Sequence, residues 1–126
     1  MPNSIEPEFH FKRLTDFHLR RIVQADKYAY EAPITAFLSD VVIVSNTALG
    51  IVFRHQNPGP YGRFDDGHLI RTSDIRFARK EGRFWVLTTL NSRYVVASFK
   101  KELGRQSFKA FLESVRGRSC TPSILQ

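Results

Sequence analysis

Ile75-Arg76-Phe77-Ala78-Arg79, Lys80-Glu81-Gly82-Arg83, Phe84-Trp85-Val86-Leu87-Thr88-Thr89-Leu90, Asn91-Ser92 and Arg93-Tyr94-Val95-Val96-Ala97-Ser98-Phe99 follow one another without interruption. Three of these runs are rich in β-branched and aromatic residues, which suit a pleated, half-buried surface. The two segments between them are short and polar. The stretch predicts a three-stranded antiparallel meander. With Asn91-Ser92 as a two-residue loop, Leu90 faces Arg93, Thr89 faces Tyr94 and Leu87 faces Val96. Strand side chains alternate with period two. Trp85, Leu87, Thr89, Tyr94, Val96 and Ser98 then share one face. Phe84, Val86, Thr88, Leu90, Arg93, Val95, Ala97 and Phe99 share the other. Both sets are largely apolar, whereas a sheet with one wet face would alternate more cleanly. The hairpin is therefore expected near the centre of a sheet, covered on both sides, with Trp85 mostly buried.

Upstream, Thr15 to Tyr30 reads as a helix. Thr15 is placed to cap it, and Asp16 suits the positive end of the helix dipole. Leu19, Ile22, Val23, Asp26 and Tyr30 follow helical spacing, and Arg20, Arg21 and Lys27 are expected to face water. Pro33 separates this helix from two further strands, Ala36 to Ser45 and Leu49 to His55, joined through Asn46-Thr47-Ala48. Gly50 marks a bulge near that turn. Gln56 to Gly67 carries two prolines and three glycines and is read as a long loop. His68 to Arg71 is a short strand. Downstream, Phe108, Phe111, Leu112 and Val115 stand at i, i+3, i+4 and i+7, so Arg105 to Val115 is read as a helix ended by Gly117. Phe9-His10-Phe11 is an edge strand or an anchor onto the core. Residues 1–8 and 119–126 are read as flexible tails of a single domain spanning 1–126. Helices at the two ends and strands between them give an α+β class. The expected architecture is an antiparallel, strongly bent sheet of about five to six strands with an N-terminal and a C-terminal helix packed on it.

The chain of 126 residues is long enough for one core without staples. Cys120 is the only cysteine, so no internal disulfide forms. No apolar run approaches a membrane span, and residues 1–8 hold no apolar signal core. These features point to a cytoplasmic protein with no membrane contact. Net charge is +7, unevenly distributed. Residues 1–53 hold five Lys/Arg against six Asp/Glu, and residues 54–126 hold fourteen against six. A one-sided positive field attracts polyanions.

The basic groups at the meander carry the first candidate site. Arg79, Lys80 and Arg83 bracket the first turn, and Lys100, Lys101 and Arg105 lie between the meander and the last helix. With Phe84 opposite Phe99, the two groups merge into one patch at one end of the sheet, able to pair with phosphates. The bland reading is scattered solvated charge. The loop Gln56 to Gly67 is the second candidate. Tyr61, Arg63 and Phe64 offer stacking faces and a fixed positive charge for nucleic acid or protein. The bland reading packs Tyr61 and Phe64 back onto the sheet. Asp65, Asp66 and His68 form a cluster able to ligate a divalent ion, but adjacent aspartates in a turn are usually turn formers, and no metal is assigned. His10, His18, His55 and His68 form no metal-ligand motif, and no nucleophile or phosphate-loop signature is present. No catalytic residue and no cofactor is assigned.

The leading expectation is a small basic non-enzymatic binding module, contacting nucleic acid through the basic end of its sheet in a regulatory role. The alternative is a small inhibitor or adaptor, of the mobile-element counter-defence type. It would dock on an acidic or nucleic-acid-binding surface of a larger machine.

Overall fold

The computed structural model describes residues 15–57, 59 and 61–118. Among them are helix α1 (Asp16–Lys27), strands β1 (Ala36–Val44), β2 (Thr47–Phe53), β3 (Leu69–Arg71), β4 (Phe77–Glu81), β5 (Phe84–Thr88) and β6 (Arg93–Val96), and helix α2 (Gly104–Arg118). The predicted tails, Phe9-His10-Phe11 and Cys120 lie outside the described residues. The strands form one sheet in the order β3-β2-β1-β6-β5-β4. Two antiparallel meanders, β1-β2-β3 and β4-β5-β6, join along β1 and β6, which run parallel with Ala36 opposite Tyr94 and Leu38 opposite Val96.

The α+β class stands, but the antiparallel, strongly bent sheet is corrected. The sheet is mixed and not strongly curled. The physical reason is that each face has its own helix. Leu38, Val52, Leu87, Tyr94 and Val96 pack with Phe108 and Phe111 of α2 on one face. Phe37, Ile51, Phe53, Phe84, Val86, Val95 and Ala97 pack with Ile22 and Ala25 of α1 on the other. With both apolar faces covered, the sheet has no need to roll up and supply its own interior. No helix among the described residues is long and apolar enough to cross a membrane.

The face assignment of the central hairpin holds through Ala97, and its register does not. Trp85 pairs with Val96 and Thr88 with Arg93, so the loop is Thr89 to Ser92, four residues rather than two. Thr89 closes it: its amide donates to Ser92 O (2.9 Å), and its hydroxyl accepts from Ser92 N (3.1 Å). The shift is two residues, which preserves the face of the paired side chains, whereas a shift of one would have exchanged them. Phe99, expected on the face of Phe84 and Val86, lies beyond the pairing and packs with Phe108 on the α2 face instead (5.2 Å). The consequence of the shift is that Ser98 to Lys100 run past the end of β5 and lean on β1. Val41 N donates to Ser98 O (3.1 Å) and Lys100 N to Val41 O (2.8 Å).

The β1–β2 turn is also tighter than expected. Ser45 and Asn46 both take positive φ (49° and 66°), the mirror-image turn that matches strand twist. The bulge predicted at Gly50 falls on its partner strand. Ser39 pairs with Ile51 and Val42 with Leu49, so Asp40 and Val41 together oppose Gly50. Asp40 takes φ 60° there. A Cβ on Gly50 would stand 3.0 Å from the Val41 side chain, so the bulge needs the missing side chain.

Thr15 caps α1 as expected. Its hydroxyl accepts from His18 N (3.3 Å) while its own amide donates to His18 Nδ1 (3.2 Å). Both exchanges satisfy amides that a helix start leaves without intrahelical partners. At α2 the helix begins at Gly104, one residue before the expected start, and runs through Gly117 to Arg118. Gly104 is buried where a Cβ would run into the Val41 carbonyl and Phe99. The start of α2 is thereby pressed onto the β1 bulge.

Candidate nucleic-acid interface

Where β6 runs out, the two helix starts and the β4–β5 turn surround a cleft of ≈ 310 Å³. Its walls carry Arg21, Lys80, Arg83 and Arg105, together with Phe17, Trp85 and Phe99. Each comes from a different part of the chain. Phe17 and Arg21 are one turn apart on α1. Lys80 stands on β4 opposite Trp85 of β5, so both share the α2 face. Arg83 is in the Gly82-Arg83 turn, which needs Gly82 at φ 64°, where a Cβ would run into the Tyr28 ring. Arg105 occupies the first turn of α2, a turn without acidic residues. The positive end of the helix dipole therefore adds to the charge of the cleft.

Two of the guanidiniums are held in place. Arg21 Nε donates to Ala97 O (3.0 Å), and its guanidinium carbon lies 4.7 Å from the centre of the Phe84 ring. Arg105 lies 4.9 Å from the centre of the Phe99 ring. Planar guanidiniums laid on aromatic faces keep their hydrogen-bonding forks oriented, so little freedom is left to lose when an anion arrives. Burial, with Arg83 and Arg105 nearby, holds Arg21 below the ordinary arginine value. It stays charged, since arginine does not deprotonate in proteins. Among the described residues, none of these four cations is ion-paired with a carboxylate. A half-enclosed group of cations without a carboxylate partner among the described residues sets up a positive field that favours anions.

Of the predicted residues, Lys80, Arg83 and Arg105 converge here. Arg79 does not. It alternates to the other face of β4 and binds Glu31 (2.9 Å). Lys100 is drawn over β1 towards Asp40 (3.9 Å), and Lys101 is exposed outside the cleft. Both absences follow from the hairpin register, because Trp85 faces Val96 and the chain beyond it turns away from the β4–β5 turn. Trp85 is half-buried rather than buried, with its ring edge-on to Phe108 (4.8 Å), and forms a wall of the cleft. Arg21 and Phe17 were missed. Arg21 was read as facing water, yet it lies one residue from Ile22 and four from Ala25, the two buried positions of α1. A long side chain flanking a buried stripe reaches the sheet rather than solvent.

Tyr61, Arg63 and Phe64 form no part of the cleft. The loop that carries them stands towards the beginning of β6, where His55 lies 6.5 Å from Tyr94. Phe64 packs back against the core and stacks on His55 (4.6 Å, 14°), and Arg63 sits over Phe64 (5.4 Å), while Tyr61 stays 89% exposed. Asp66 staples the loop by accepting from Arg54 N (2.7 Å), and His68 Nδ1 lies 3.3 Å from Arg63 O. Among the described residues no group of three or more His, Cys, Asp or Glu is arranged to hold a metal. A broader hollow of ≈ 390 Å³ by the α1–β1 linker contains Asp26 and Glu31, but Arg54 and Arg79 already engage them.

The His55 stack makes the loop sensitive to acid. Burial lowers the His55 pKa below the ordinary 6.5, and its Nδ1 accepts from Asn57 N (2.9 Å), which requires an unprotonated nitrogen. The unfolded chain therefore takes the proton more readily than the folded one. This contribution is fully present above about pH 6.5 and is lost as pH falls below it. His55→Phe keeps a ring against Phe64 without the titration. Denaturant melts at pH 7.5 and 5.5 should show a smaller drop for His55→Phe than for the wild type; equal drops would remove His55 as the cause.

Comparison of the chain with protein-family models, with curated proteins and with solved structures finds no match.

Proposed function

We propose that this protein is a small non-enzymatic module that binds nucleic acid in a regulatory role, through the cleft at the end of β6. One observation carries the reading. Arg21, Lys80, Arg83 and Arg105 line a single cleft, without a carboxylate partner among the described residues, interleaved with Phe17, Trp85 and Phe99. Fixed cations meet phosphates through charge and bidentate hydrogen bonds, and aromatic rings meet bases. The combination recurs wherever a protein tracks a polynucleotide. The role is binding rather than catalysis because the cleft supplies charge and stacking faces. The hydroxyl on its wall, Ser98, is engaged with Ser39 (2.9 Å) beneath the surface.

The test is fluorescence anisotropy with short labelled oligonucleotides over a salt series. Binding should weaken steeply and linearly in log–log form as counterions are released. Absence of binding at low salt would remove nucleic acid as the partner. An acidic protein surface would then be the ligand class that fits the same cations.

A further inference from the structure

We infer that the cleft takes a single strand rather than a duplex, seating one nucleotide with its phosphate among Arg21, Arg83 and Arg105 and its base against Phe17 and Trp85. The inference rests on the nucleic-acid reading and narrows its ligand. In a duplex the base faces are covered by their neighbours in the stack, and only the edges and backbone are offered. The aromatic part of this cleft would then have nothing to contact. An unstacked strand offers a phosphate and a base face together, which is the pairing these walls present.

Size agrees with this. The cleft, at ≈ 310 Å³, matches the small end of pockets that enclose a single small-molecule-sized group, and it is recessed between two helix starts. A duplex lying across its mouth would reach the outer cations only. Of the aromatic groups, Phe17 stands clear of the core, while Trp85 is packed on the core and lines the cleft as well. Phe17 is 54% exposed at the start of α1, so its ring is open to a partner. Trp85 is braced edge-on by Phe108 (4.8 Å). Arg21, Arg83 and Arg105 come from three elements, so a phosphate among them would be held from several directions.

Trp85 is the only tryptophan, so its fluorescence reports occupancy of the cleft directly. The experiment combines that signal with anisotropy, using the full chain and labelled single-stranded DNA, single-stranded RNA and duplex of equal length. Single strands should bind more tightly than duplex and should change the Trp85 emission on binding. Phe17→Ala should weaken single-strand binding about 5- to 100-fold, with the salt slope unchanged, since stacking rather than charge is removed. Phe17 is exposed on a helix where alanine is well tolerated, so the variant should fold; circular dichroism checks this. Duplex binding as tight as single-strand binding, without a Trp85 response, would overturn this inference and leave the nucleic-acid reading intact. No binding by any oligonucleotide would overturn both. An unchanged affinity in Phe17→Ala would overturn the seating of the base.

Discussion

Arg93→Ala should destabilise the protein by about 3–5 kcal/mol, the scale expected when one partner of a buried ion pair is removed and the other is left uncompensated. Arg93 Nη2 donates to Glu81 Oε2 (2.6 Å), and its Nη1 donates to Ala32 O (2.6 Å). The other carboxylate oxygen of Glu81 accepts from Glu31 N (3.0 Å). The Glu81 side chain is only 5% exposed and that of Arg93 20%. The cluster ties β4 and β6 to the segment that links α1 to β1. Arg93 N also donates to Thr35 Oγ1 (3.0 Å), a bond the alanine variant keeps. Burial and the charge of Glu81 raise the Tyr30 phenol well above its ordinary value, so Tyr30 stays protonated and donates to Ala25 O (2.7 Å). Glu81→Gln should cost less than Arg93→Ala. The amide still accepts from Glu31 N, and the cation it leaves is the partner with access to water. Urea melts with unchanged slope and a lowered midpoint would report the effect. A loss below about 1 kcal/mol, the scale of a surface pair, would mean that water reaches Glu81.

That cluster marks where sequence reasoning stops. Period-two alternation assigned Trp85, Leu87, Tyr94 and Val96 to one face and Phe84, Val86, Val95 and Ala97 to the other, and both clusters form as read. Alternation reports a side chain's face but not its strand's neighbour. The parallel pairing of β1 with β6 joins segments more than fifty residues apart and leaves no local mark. The loop length was likewise hidden. Asn91-Ser92 looked like the turn, and the bonds Thr89 makes to Ser92 set it two residues wider. Because two residues preserve the faces, the core survived the error and the patch did not. Lys100 and Lys101 left it, and Arg21 entered from a helix whose basic side chains had all been given to solvent. Lys80, Arg83 and Arg105 were legible because a turn and a helix start fix their positions whatever the register.

Arg83→Glu combined with Arg105→Glu should reduce affinity for a single strand about a hundredfold or more at low salt. Two charge-assisted hydrogen bonds are lost, each worth about 1.5 kcal/mol or more, and each 1.4 kcal/mol is a tenfold change. The slope of log affinity against log salt should flatten by about 0.7, since the two arginines share one phosphate and each phosphate contact on a single strand contributes about 0.7. The fold should survive. Both side chains are exposed, and a glutamate in the first turn of α2 suits the helix dipole better than arginine does. The deciding control is Lys101→Glu. It also replaces a cation by an acid, a few residues from Arg105, but its side chain lies outside the cleft. If binding depends on fixed cations in one place, Lys101→Glu should lower affinity only slightly, and its salt slope should match the wild type. If net charge alone attracts the polyanion, reversal at Lys101 should cost as much as reversal at Arg105 taken singly. Equal losses from the two single variants would therefore remove the cleft as the binding site, even with nucleic acid confirmed as the ligand.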